Sequence, residues 1–302
     1  MANYPLIAYH PFKALFQLTY IASIIARLPY RLAACLIPSL RPHPTWSFKP
    51  TLIVGITETL PAPPPLQLQE NNPDARFQAV EPSSRAFYKG PLESNKRVQP
   101  ATTGEEGVVV LYLHGGAFVQ GDSGESFCGF PAALQDTLTA YLHLLHSLRI
   151  PASQIEFGGV IDVPRPRCVL LFSPWVAPFN YKDIRSHANF PSDLVPVSFL
   201  RWGALTYGQG LEKELTHPYV TLLGNPFKTS VPVFVNYGMK EVFCDDIARW
   251  AEEMKGAGGN VLEVHKEENA CHDTFLLGGI TAFEESAGQV AALARRFVER
   301  VG

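Results

Sequence analysis

VPVFVNYGMKEVFCDDIARWAEEMKGAGGNVLEVHKE, residues 231–267, decides the fold. Its first eight residues form a β-branched and aromatic run ended by glycine, which reads as a buried strand. DDIARWAEEMKGAGG (245–259) opens on acidic residues and closes on glycines, so the helix macrodipole and the left-handed stop both favour a helix there. NVLEVHKE (260–267) reads as the next strand. Strand, helix and strand in that order build a parallel crossover, the unit of an α/β sheet.

The same alternation extends outward. VVVLYLHGG (108–116) is an apolar strand entering a tight turn, and QIEF (154–157) and CVLLFS (168–173) read as further strands. FPAALQDTLTAYLHLLHSLRI (130–150) has helical apolar spacing after a proline start. A closing helix ends the chain, with Arg295, Arg296 and Arg300 near its C-terminus. These elements predict an α/β domain with a mostly parallel central sheet over residues 76–302, with a cap-like segment at about 180–210. Residues 1–75 read as an apolar helix and a proline-rich connector.

Composition narrows the class. The 302 residues are 46% hydrophobic and 18% charged with a net charge of −3, enough apolar mass for a full core. The 25 basic and 28 acidic residues form no long like-charge run, which argues against a nucleic-acid partner. Five cysteines in no paired spacing read as reduced thiols of an intracellular protein. Residues 14–26 are uncharged but bounded by Lys13 and Arg27, with Pro29 beyond, and fall short of the ~20 residues of a membrane span. That stretch is either a membrane-surface contact, through residues 14–37, or a helix covering the domain. RPHP (41–44) and PAPPP (61–65) read as extended connectors.

Three pieces carry chemistry. LYLHGGAF (111–118) ends a strand on two glycines, which let backbone N–H groups point into a cleft as an oxyanion requires. NYGMKEVFCDD (236–246) ends a strand with Glu241 in the following loop, and NACHDTF (269–275) places His272 after the last strand. Acid then histidine, each on a loop after a strand, follows the chain order of α/β-hydrolases. With HPYVTLLG (217–224) and the SPW at residues 173–175, these motifs resemble the hormone-sensitive-lipase-like branch of the alpha/beta hydrolase fold-3 esterases, above all fungal members related to steryl acetyl hydrolases. The resemblance covers roughly residues 105–300. It implies an oxyanion hole at Gly115, Gly116 and Ala117, a triad acid at Glu241 and a triad base at His272. It also implies hydrolysis of carboxylic esters, with a small-molecule ester or hydrophobic ligand as partner and no cofactor. Asp245 matches a second acidic position of the family; its alternative reading is a helix N-cap. His114 reads as a structural turn residue. His143 and His146, three apart on a predicted helix, have no evident third ligand, so no metal is expected.

The nucleophile is missing from the pattern. No G-x-S-x-G occurs in the chain. GDSGE (121–125) follows the oxyanion strand and EESAGQ (284–289) follows the histidine inside a helix, so neither serine fits the role. Between QIEF and CVLLFS stand only residues 158–167, with Pro164 and Pro166, too short and too rich in proline for a helical crossover. Residues 117–130 are likewise too short for a βαβ unit of ~30 residues. Two crossover units are therefore expected to be absent, leaving either an impaired esterase, a non-catalytic binding protein, or the product of altered splicing or a faulty gene model.

Overall fold

The structure is a computed structural model describing residues 10–57, 109–111, 137–138, 140–156, 165–208 and 215–301. In chain order its elements are α1 (Phe12–Leu36), α2 (Phe48–Thr57), β1 (Val109–Val110), β2 (Ile155–Glu156), β3 (Val169–Phe172), α3 (Val197–Tyr207), β4 (Val233–Gly238), α4 (Cys244–Gly256), β5 (Leu262–Glu267), α5 (Thr274–Thr281) and α6 (Glu284–Val301). β3, β4 and β5 form a parallel sheet in that order, with Val169 opposite Val233 and Val233 opposite Leu262. β1 and β2 pair in parallel, Val109 opposite Ile155.

β4 is buried along its whole length. Strand geometry sends successive side chains to opposite faces. Val233, Val235 and Tyr237 accordingly pack with Ile247, Trp250 and Met254 of α4, while Phe234 packs on the other face with Cys168 and with Ala294 and Phe297 of α6. Helices on both faces are what a strand buried on both faces requires. Each large side chain removed from water here contributes roughly 1.5–3 kcal/mol.

The Arg167 N–H donates to Ile155 O at 2.8 Å, so β2 lies beside the residue that leads into β3, with only residues 157–166 between Glu156 and Arg167. The cap-like segment folds as short 3-10 turns followed by α3. Trp202 and Tyr207 are buried, and Phe190 and Phe199 pack against the core cluster that contains Tyr207.

One sequence expectation needs correction, and α1 adds a detail: the helix runs through Pro29 to Leu36. One proline removes one backbone hydrogen bond, a cost the flanking helical turns absorb. RPHP is a set of bends and turns rather than an extended connector, because Arg41 folds back to donate to Cys35 O at 3.1 Å and to Trp46 O at 2.6 Å. Beyond this turn Trp46 is buried, donates to Asn269 O at 2.6 Å and meets the Phe283 ring edge-on at 5.6 Å. α2 thereby seats Val54 against Trp46 and Cys271. PAPPP, LYLHGGAF from residue 112 onward, GDSGE and residues 130–136 lie outside the described residues.

Candidate active site

β4 and β5 end side by side, and the loops that follow them meet. Gly238 closes β4 where a Cβ would come within 2.5 Å of Cys271 O and would also clash with Ala270 O, so glycine is needed for the approach. The backbone completes the joint: Met239 N–H donates to Glu267 O at 2.8 Å and Lys240 N–H to Ala270 O at 2.9 Å.

This joint brings Glu241 to His272. Glu241 is fully buried, and its Oε2 lies 3.6 Å from His272 Nδ1, ion-pair range and just beyond a hydrogen bond. The imidazole stands edge-on to Phe243 at 5.3 Å, which restricts its rotation. Glu241 Oε2 also accepts from Ser173 Oγ at 2.6 Å and from Gly238 N–H at 3.4 Å. Ser173 follows β3 with φ +44°, a left-handed backbone uncommon for a side-chain-bearing residue, and its Oγ accepts the Asp273 N–H at 2.9 Å. One hydroxyl thus touches both loops.

Asp193 is the second buried carboxylate. Its oxygens accept from Val242 N–H at 2.7 Å, Leu194 N–H at 2.7 Å and His272 N–H at 3.3 Å. Sequence reasoning assigned roles to Glu241 and His272 but none to Ser173 or Asp193. The SPW motif was a signal for Ser173; Asp193 sits in a segment whose composition carries none.

The electrostatics follow from crowding. Burial alone would lower the His272 pKa, but the Glu241 carboxylate, then Asp193 and Asp273, outweigh it and push the imidazole up to about 9. Burial raises Glu241, with His272 and Ser173 pulling it down and Asp193 pushing it up. Burial also raises Asp193 and Asp273, in each case against the pull of His272. Three carboxyl groups thus raise one imidazole, and each carboxyl resists ionising chiefly because it is buried.

Asp245 is not part of this group. Its side chain is exposed and pairs with His187 Nε2 at 3.1 Å. His187, Cys244 and Asp245 offer ligand atoms within 4.8 Å of one another, but His187 Nδ1 accepts the Asn189 N–H at 3.1 Å. That bond leaves Nε2 as the protonated nitrogen facing Asp245, without a lone pair for a cation. Cys244 is pushed up to about 12 by burial and by Asp245, the opposite of a thiolate ligand. His143 and His146 lie in a π-helical turn, His143–Ser147. Ser286 donates to the buried Glu267, a packing role. His114, Gly115, Gly116, Ala117 and Ser123 lie outside the described residues.

Residues 158–276 match the family model of the alpha/beta hydrolase fold. No curated protein matches the chain. Among solved structures it is similar to EstE5, soaked with p-nitrophenyl butyrate, at 20% identity over 65% of this chain and 78% of that one, TM-score 0.55. It is also similar to an esterase of the bacterial hormone-sensitive lipase family, at 21% identity over 66% and 78%, TM-score 0.54. An esterase/lipase from an uncultured bacterium gives 20% over 65% and 78%, TM-score 0.53. At these identities the structures speak for the fold alone, which agrees with the parallel sheet. Over residues 158–276, this chain is similar in sequence to the alpha/beta hydrolase fold family, and its fold is that of an incomplete alpha/beta hydrolase.

Proposed function

We propose that this chain carries the acid–base half of an ester-hydrolase site, Glu241 as acid and His272 as base, without the serine that would use it. The observation that carries the reading is the buried Glu241 set 3.6 Å from His272 on the loops after two neighbouring parallel strands. In such a site the histidine takes a proton from the nucleophile, the acid orients and stabilises the imidazolium, and backbone N–H groups receive the oxyanion. Gly115, Gly116 and Ala117 are the proposed donors. No two glycines of the chain flank a serine in the G-x-S-x-G spacing, which supports an impaired rather than an active esterase. Loss of a triad serine leaves only residual rate from binding and the oxyanion hole. Short-chain p-nitrophenyl esters are expected to turn over slowly or not at all, and a fluorophosphonate to leave the chain unlabelled; stoichiometric serine labelling with a substantial rate overturns the reading.

The second reading is a non-catalytic protein that binds a hydrophobic ligand or a partner. The buried Glu241 beside His272, held by hydrogen bonds from Ser173 and to Asp193, favours it over a defective chain. Cooperative thermal unfolding of a monomer is its expected signature, and aggregation without a transition counts against it. Contact with a membrane surface through residues 14–37 is supported by the exposed Leu15, Leu18, Ile21 and Ile25 of α1. Among the described residues, no helix is long and apolar enough to cross a membrane. Co-flotation of the chain with anionic vesicles, lost when those four residues become serine, tests the contact.

A further inference from the structure

We propose that Asp193 is a positioning residue: residues 189–193 clamp the loop after β4 to the loop after β5 and so set the placement of Glu241 against His272. The proposal rests on the acid and base roles given above.

Beside its backbone bonds to Glu267 O and Ala270 O, the loop after β4 is held peptide by peptide by the clamp. Asn189 Nδ2 donates to Met239 O at 2.8 Å and to Glu241 O at 3.1 Å, and Ser192 Oγ donates to Lys240 O at 3.0 Å. Asp193 Oδ2 then accepts the Val242 N–H at 2.7 Å. Each residue from 239 to 242 is therefore held by one side chain of the clamp. The other oxygen, Oδ1, accepts the His272 N–H at 3.3 Å and the Leu194 N–H at 2.7 Å. A single carboxylate thus joins the residue after Glu241 to His272 itself.

Asp193 is 1% exposed. A carboxylate so placed is costly unless hydrogen-bonded, and its three donors come together only when the clamp and both loops meet. The arrangement has two separable effects. The hydrogen bonds fix the loops, and the negative charge faces the imidazole together with Glu241 from the loop after β4 and Asp273 from its own loop. A residue that merely filled space would have the first effect without the second.

The test uses the full chain and nuclear magnetic resonance, and needs no catalytic activity. Asp193→Asn keeps the shape, removes the charge and retains one carbonyl-type acceptor for two loop amides. It is expected to lower the His272 titration midpoint by about one pH unit and to speed exchange of the Val242 and His272 amides at least roughly tenfold, the loss of one hydrogen bond to a charged group. Glu267→Gln is the comparison. Glu267 is a buried carboxylate bound to Asn236 and Thr274, and its replacement is expected to lower the melting temperature while leaving the His272 titration in place. An unchanged His272 midpoint and unchanged amide exchange in Asp193→Asn overturn the proposal, as does an equal shift in Glu267→Gln. If Asp193→Asn does not fold, Asn189→Ala replaces it: faster exchange of the Val242 amide supports the clamp, and unchanged exchange overturns it. Fluorophosphonate labelling would overturn the impaired-esterase reading and leave these results standing.

Discussion

Ser173 Oγ donates a 2.6 Å hydrogen bond to Glu241 Oε2 while accepting the Asp273 N–H at 2.9 Å, so the end of β3 orients the buried carboxylate and anchors the residue after His272. The segments that follow three neighbouring strands therefore meet in a single joint. Hydrogen bonds to charged groups are worth about 1.5–3 kcal/mol, more than neutral ones.

Replacing Ser173 separates its hydroxyl from its backbone. Ser173→Ala removes both bonds and keeps the left-handed backbone, with an expected loss of about 2–4 kcal/mol in urea unfolding. Ser173→Gly removes the same bonds but adopts φ +44° without strain, so it should be the milder variant by about 1 kcal/mol. A glycine variant less stable than the alanine variant would contradict this account.

The charge cluster dictates the pH dependence. His272 is raised to about 9 in the folded chain against 6.5 when unfolded, so its contribution is fully present below about pH 6.5 and is lost as pH rises through about 9. Glu241, Asp193 and Asp273 are raised as well, so their contribution also declines as pH rises. Stability should therefore fall between pH 6.5 and 9 by an amount on the order of 2–3 kcal/mol. His272→Gln should lose most of that fall; an unchanged profile in the variant excludes His272 as its source.

Gly238→Ala is expected to be the most damaging small substitution at the joint. The new Cβ meets backbone carbonyls of Ala270 and Cys271 rather than a movable side chain. The loops must part, at a cost of about 4 kcal/mol or more. Circular dichroism melting, with Gly256→Ala as a comparison where a Cβ meets open space, measures the difference.

Trp46 shields the back of the same joint. Cys271 is fully buried and its thiol is pushed well above its ordinary value by burial, then by Asp193 and Glu241. Native Cys271 should resist maleimide. Trp46→Ala should cost about 3–5 kcal/mol and open Cys271 to modification, read by mass spectrometry of the Cys271 peptide. A stable variant with Cys271 still protected would show that α2 is dispensable to the loop after β5.

Legibility in the sequence tracked distance along the chain. Residues 231–267 carried a strand, a helix and a strand in their own periodicity and caps, and each formed within three residues of its expected limits. Glu241 and His272 were legible because each follows a strand end. Ser173 was visible only as part of a motif, and Asp193 not at all, since its partners Val242 and His272 lie 49 and 79 residues further along the chain. RPHP misled because proline predicts local backbone and says nothing of an arginine that folds back over it.

By itself, the sequence determined the parallel α/β class, the order of acid and histidine, and the absence of a serine in the elbow spacing. All three reside in short-range patterns of apolar period, glycine and residue order. Only the tertiary structure decided that Glu241 and His272 stand 3.6 Å apart, that Ser173 and Asp193 hold them, and that three carboxyl groups push the imidazole pKa up. Those facts depend on burial and on hydrogen bonds between segments brought together by the sheet, and no local run of residues encodes either.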